Sequence, residues 1–423
     1  MQIATMAFTF LTMDTILESG IAPALTALLI AVFVAVYICL VQSLRFRHTQ
    51  AIQRKYTAKL GEAKSGLTVN DAYDITMSLA TLEFPTTFTS GVRLGMFKSY
   101  AIPTISNLLM RTSHFDDLET TSRRAANTGA LLTEIFFHPP GSSRGIHATA
   151  RTNFLHSGYR KNGHISNEDM LYTLALSIVE PIRLINRYEW RSLSPLEVNA
   201  LGTYWKSLGE TLDISYLDLP SMAWHDGQEW LQELDEWARA YERRNMQWSQ
   251  ANFTVAHHAA DTLGSLQRHA VNTLLEEERR QAIGFTSPPL AYSISLEPVL
   301  AARRFCVRHL CLPRLRPVQM TGIPSSEPGH YWARNWYSRP WYTKATRWAR
   351  YGPSAWWRRL LNQPCPGDDG YQPQGYDPQQ IGPVALQGKG HEFIEQEKAR
   401  LSGLTGSRCP FTGQSGSKCP HLG

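Results

Sequence analysis

Arg124, Asn127 and Thr128 stand at positions i, i+3 and i+4, so a helix would set a cation, an amide and a hydroxyl on one face, turned toward a single ligand. A second polar run follows at Ala150-Arg151-Thr152-Asn153-Phe154-Leu155-His156-Ser157-Gly158-Tyr159-Arg160. Its one histidine, His156, lies seven positions after Thr149, so the two point the same way. An imidazole offered by a mostly apolar helical bundle is a suitable axial donor for haem iron. Arginines such as Arg124, Arg151 and Arg160 are suited to the propionates. Spacing alone leaves a blander alternative open, with His156 a capping or hydrogen-bonded residue near a helix end and Asn127 and Thr128 ordinary surface groups.

Other chemistries find less support. No HExxH, GxSxG, phosphate-binding lysine loop or strand-linked GxGxxG occurs, and Gly141-Ser142-Ser143-Arg144-Gly145 reads as a loop. Of the 14 histidines only His257 and His258 adjoin, and neighbours on a helix do not face one metal. The six cysteines are scattered without a CxxC, so a disulfide framework is not expected. Three of them (Cys365, Cys409, Cys419) precede proline, which can offer a thiolate to haem but more often marks a turn. The net charge of +6 is modest and clusters beside apolar and aromatic stretches. Anionic lipid is therefore a better partner than nucleic acid, for which no recognition pattern is present. Asn252-Phe253-Thr254 fits a glycosylation sequon.

The elements that must position these residues read as all-α, because no segment sustains period-2 alternation. Residues 1–20 form a short N-terminus carrying Asp14 and Glu18. An uncharged apolar run at 21–44 is long enough to span a bilayer, and Arg45, Arg47, Arg54, Lys55 and Lys59 follow it. That asymmetry predicts an uncleaved single-pass anchor, N-terminus lumenal and the remainder cytosolic. A polar juxtamembrane helix is expected over 45–80, with a further start at Thr68-Val69-Asn70-Asp71. A single large helical domain fills 81–362. Within it, helices are expected over 116–137 with Asp116 and Asp117 in the first turns, from Ser142 or Ser143 to about Gly158, after Ser166, from Pro195, over 226–247, as one long helix over 255–283, and over 296–312. Between 331 and 361, Trp332, Trp336, Tyr337, Trp341, Tyr342, Trp348, Tyr351, Trp356 and Trp357 alternate with arginines and no acid, which suits a headgroup layer, or else an aromatic core with solvated arginines. The Pro/Gly/Gln-rich 363–423 reads as an extended, partly disordered tail.

Several strings are similar to the fungal endoplasmic-reticulum-bound oxygenases of the MpaB type, distant relatives of bacterial latex-clearing (rubber) oxygenases. They are Leu82-Glu83-Phe84-Pro85, Tyr100-Ala101-Ile102-Pro103-Thr104-Ile105-Ser106, Arg124-x-x-Asn127-Thr128, Ala150 to Tyr159, Leu171-Tyr172-Thr173-Leu174-Ala175-Leu176, Tyr188-Glu189-Trp190-Arg191-Ser192-Leu193 and Gly202 to Gly209. The resemblance runs over roughly residues 20 to 400. It implies an oxygenase of secondary-metabolite, meroterpenoid-like biosynthesis in the endoplasmic reticulum membrane. Such an enzyme would use haem b to cleave a C=C bond in the prenyl-derived side chain of a lipophilic substrate. By matching position, His156 would be the proximal ligand, and Arg124 and Thr128 would fall on the family's Arg-x-x-x-Thr pattern beside the haem. In the rubber oxygenases a lysine precedes that threonine. Here the position is Asn127, a poor iron ligand that could instead donate a hydrogen bond to dioxygen. Electrons would come from a separate reductase in a monooxygenase cycle, or not be consumed in a dioxygenase cycle, since no flavin or nicotinamide motif is visible. Hydroxylation, oxidative cyclisation, or a non-catalytic scaffold role in the same pathway are the alternatives.

Overall fold

The computed structural model describes residues 21–62, 66–112, 117–221, 223–334, 336, 339–361, 363–404 and 408–411. The expected N-terminal stretch 1–20, Asp116, Tyr337, Cys419 and the last part of the tail lie outside them. The apolar run forms α1 (Ile21–Arg45), whose Leu25, Leu28, Ile30, Phe33 and Val36 are exposed along its length. Among the described residues one helix is long and apolar enough to cross a membrane, and it begins here.

The body follows in α2 (Arg47–Glu62), α3 (Val69–Met77), a π-helical turn Ser78–Glu83, α4 (Pro85–Lys98), α5 (Pro103–Arg111), α6 (Leu118–Phe136), α7 (Ser143–Lys161), α8 (Asn167–Tyr188), α9 (Pro195–Thr211) and α10 (Gly227–Asn245). Then come α11 (Gln250–Asp261), α12 (Ser265–Leu274), α13 (Glu277–Ile283), α14 (Leu290–His309), α15 (Arg347–Tyr351), α16 (Pro353–Leu360) and α17 (His391–Ser402). Two short strands, β1 (Ile323–Pro324) and β2 (Tyr331–Trp332), pair antiparallel. The fold is all-α with this one minor ribbon. The helix starts follow from local chemistry: Thr68, Asp117, Ser142, Ser166 and Ser194 each accept a backbone N–H of the first turn. Tight packing of α4 on α8 requires glycine. A Cβ on Gly91 would sit 2.4 Å from the Pro181 Cα, and one on Gly95 2.4 Å from the Leu176 carbonyl. Trp190, Trp205 and Trp230 are fully buried at the centre of the core.

Four expectations need correction. The stretch 255–283 is three helices rather than one, interrupted at Gly264 and at Glu276, each in extended backbone as an N-cap. The second half of 45–80 is core, since Val69, Ala72 and Ile75 of α3 are buried. The aromatic segment divides: Trp341 and Tyr342 are buried against the body, whereas Trp348, Tyr351, Trp356 and Trp357 are exposed. The described part of the tail is not merely extended. Tyr376 and Ile381 enter the core, and α17 packs on α7 through Ala150, Ile394 and Leu401. Cys39, Cys306, Cys311 and Cys365 are free, and Asn252 of the sequon is fully buried, its amide donating to the carbonyls of Ala101, Gln247 and Ala282.

Candidate functional site

Helices α6 and α7 pack side by side, joined by a short turn whose Gly141 takes the left-handed conformation. Their facing sides bring Arg124 and His156 together. The Arg124 guanidinium lies 3.4 Å from the Thr112 hydroxyl beyond α5; burial lowers its pKa, against the raising influence of the Tyr100 and Tyr159 phenols. His156 is held at a pKa of about 4, first by burial and then by the positive charges of Arg124 and Arg160. Its imidazole is therefore neutral at physiological pH. Its Nδ1 is buried with no hydrogen-bond partner among the described residues. The residue as a whole is half-buried on α7.

Asn127 and Thr128 are half-buried on the same helix as Arg124, one turn on. The Asn127 amide is fixed from outside the two helices. The Tyr342 hydroxyl donates to its Oδ1 at 2.5 Å, while its Nδ2 makes only a long contact, 3.4 Å, to the Gly382 carbonyl. The oxygen side of the amide is thus committed and the N–H side is the weakly engaged donor. Tyr342 sits in left-handed backbone (φ 59°), an unusual conformation for an aromatic residue. It is held there by backbone bonds to Ala333 and Tyr371. Burial pushes its phenol up to about 12 despite the opposing Arg123 cation, so it remains a neutral donor. Trp341 beside it bonds Ser122 and lies under the Arg123 guanidinium.

Arg151 does not join this cluster. Five residues on a helix turn about 140°, so it points to the other side of α7 from His156. There its fully buried guanidinium donates to four tail carbonyls: Ile381 at 3.0 Å, Lys389 at 3.0 Å, Gln380 at 3.2 Å and Leu386 at 2.8 Å. The expected pairing of Arg151 with cofactor carboxylates is therefore replaced by a clamp on residues 380–389. Arg160, one turn beyond His156, is engaged by Asp213, at 2.8 Å to both its carboxylate and its carbonyl. Asn153 donates to Thr211 and Glu397.

Among the described residues no three potential metal ligands converge. His156 is thus a lone donor, a set that fits an iron whose remaining positions are filled by a macrocycle and an exogenous ligand. Reasoning from sequence missed Tyr342, Tyr100 and the tail clamp. Tyr100 and Tyr159 lie inside strings already singled out, but nothing in the aromatic run distinguishes Tyr342 from its neighbours.

The described residues thus form a helical body behind one apolar helix long enough to cross a membrane, with a neutral imidazole beside an arginine cation. Residues 80–306 match the family described as "ER-bound oxygenase mpaB/B'/Rubber oxygenase, catalytic domain". The chain is 36% identical over 393 residues to the ER-bound oxygenase mpaB' of Penicillium brevicompactum, covering 90% of this chain and 93% of that one. It is 36% identical over 349 residues to the ER-bound oxygenase mpaB of the same organism (81% and 85% covered), and 43% identical over 212 residues to the ER-bound oxygenase mpaB of Penicillium roqueforti (50% and 71% covered). The chain belongs to this oxygenase family and is an oxidoreductase. Arg124, Asn127, Thr128 and His156 all fall within the matched residues; Tyr342 and the clamped tail lie beyond them.

Proposed function

We propose that the chain holds haem b through His156 and oxidatively cleaves a C=C bond in the prenyl-derived side chain of a lipophilic metabolite. The observation that carries this reading is the state of His156: a neutral imidazole with an orphaned buried nitrogen, flanked by a cation. When bound, the haem supplies an iron centre for dioxygen chemistry. His156 contributes a lone pair that is not competed away by protons near neutral pH. Arg124 contributes a buried positive charge able to pair with a propionate or to stabilise negative charge developing on oxygen. Asn127, its amide oriented by Tyr342, presents Nδ2 as a donor, and the Thr128 hydroxyl lies on the same face. The apolar α1 suits a substrate that partitions into membrane. The basic flank Arg45, Arg47, Arg54 and Lys55 favours a cytosolic body with a lumenal N-terminus in the endoplasmic reticulum membrane.

The test is the absorption spectrum of the full chain, expressed with haem supplied, beside His156→Ala. A Soret band in the wild type that is lost or shifted in the variant is expected. A colourless wild type refutes the haem reading, and unchanged ligation in the variant refutes the ligand assignment. Incubation with a prenylated phenol should give two carbonyl fragments; a hydroxylated product of unchanged carbon skeleton would replace cleavage by hydroxylation.

A further inference from the structure

Helix α14 is 20 residues long and buries none of them. Up to its last turn its half-buried residues, Tyr292, Leu296, Leu300, Arg303 and Val307, recur every three or four positions and form the stripe that leans on the body; His309 at the C-terminus is half-buried as well. Polar pins hold that stripe to the end of α8: Arg303 donates to Glu189 at 2.8 Å, and Glu297 accepts from Arg187 at 2.5 Å and from Tyr188 at 3.1 Å. A helix on a water-facing surface turns its polar side outward. Here the opposite side carries Leu290, Ile294, Pro298, Ala301 and Phe305, with Leu290, Ile294 and Phe305 exposed by 73, 63 and 59%. Arg304 and Arg308 lie along one flank of this apolar face.

The C-terminal end of α14 is joined to the anchor. The Tyr37 hydroxyl donates to the Leu310 carbonyl at 2.8 Å, Gln42 bonds the His309 ring at 2.9 Å, and Arg45 reaches the Cys311 carbonyl at 3.5 Å. Tyr37 is eight residues before Arg45, about 12 Å back along α1 into the apolar run. The end of α14 therefore sits level with the last turns of the candidate membrane span. The carbonyl that the helix end leaves without an internal partner is met by a side chain of the anchor, as a water-poor surrounding requires. Exposed Leu312 and Leu315 continue the apolar surface past the helix, with Arg314 and Arg316 beside them.

We propose that α14 is a second membrane element, lying in the plane of the interface beside α1. Its Leu290–Ile294–Phe305 face enters the acyl boundary, and Arg304 and Arg308 meet anionic headgroups. The occupant of the face is lipid, because the face is continuous with the anchor and flanked by cations. The consequence is orientational: one spanning helix leaves the body free to swivel, whereas a second contact fixes which side faces the bilayer.

The experiment uses the full chain in phosphatidylcholine–phosphatidylserine vesicles containing a lipid with a photoactivatable diazirine in its acyl chain, with adducts mapped by peptide mass spectrometry. Adducts are expected on α1 and on the outer face of α14. In the double variant Ile294→Asp with Phe305→Asp, the α14 adducts should be lost while those on α1 persist. Wild-type adducts confined to α1 would overturn the proposal. So would crosslinks between two copies through α14, which would make the face a protein interface, and so would the absence of adducts on α1, which removes the anchor beside which α14 is placed.

Discussion

Replacing Arg151 by methionine should unlatch the tail without unfolding the body. The guanidinium donates to four backbone carbonyls from a position with no solvent access, and among the described residues no other side chain meets those carbonyls. A hydrogen bond to a charged donor contributes about 1.5–3 kcal/mol, but bonds from one group do not add independently. The segment they hold is only partly covered, with Val384, Ala385, Gly388 and Lys389 exposed. Water can therefore reach the released carbonyls once the loop lifts, and the loss is capped by the cost of that local opening. About 3 kcal/mol is a reasonable cost, which corresponds to an opening more frequent by on the order of 100-fold. Amide hydrogen exchange reads this directly at Ile381, Leu386 and Gln387, whose N–H groups close turns within the segment. Those amides should exchange about two orders of magnitude faster. The amides of α17 should change less, because Ile394 and Leu401 have their own contact with α7 and Glu397 is held by Asn153. Arg151→Lys keeps the charge but not the planar fork that reaches four acceptors, so it should fall between wild type and Arg151→Met. Equal exchange at Ile381 and Leu386 in wild type and Arg151→Met would refute the clamp.

Tyr342→Phe deletes the donor to Asn127 Oδ1 and should slow product formation several-fold while costing only about 1 kcal/mol of stability. An unchanged rate at unchanged melting temperature would show that the amide needs no such orientation. Glu276 supplies a pH test: burial pushes its carboxyl up, but the Lys98 ammonium and the Arg279 guanidinium outweigh this and hold it down at about 2. With a folded pKa below the unfolded one, its stabilising contribution is present above pH about 4.5 and is lost as pH falls toward about 2. Its side chain is half-exposed, so solvent screening keeps the effect small. Urea unfolding of Glu276→Gln should show a shallower acid decline than wild type across that window, and parallel curves would count against the pairing.

What could be read from the sequence and what could not divide along a physical line. Caps at Thr68, Ser142 and Ser166 were legible because an N-cap is chemistry between residues two or three apart, whereas Asp117, read as a first-turn acid, and Ser194, unremarked before Pro195, emerge as caps only in the structure. The shared face of Arg124, Asn127 and Thr128 was legible for the same reason. The orientation of Arg151 was within reach, since five residues from His156 cannot share its face, but its tail partners were not. Those carbonyls lie some 230 residues away and carry no side-chain signature, because a guanidinium binding backbone oxygen asks nothing of the residue that owns it. Tyr342 was hidden twice over, by its distance from Asn127 and by a left-handed backbone that an aromatic residue seldom adopts. The same division explains how the site is built. Two helices adjacent in sequence bring the imidazole and the cation together, whereas the direction of the Asn127 amide is set by a segment outside the family's catalytic-domain match. A relative could therefore keep every residue of α6 and α7 and still present a differently turned amide, so the identity of the residue that meets Asn127 from the C-terminal segment, not Asn127 alone, is what comparison among relatives should follow.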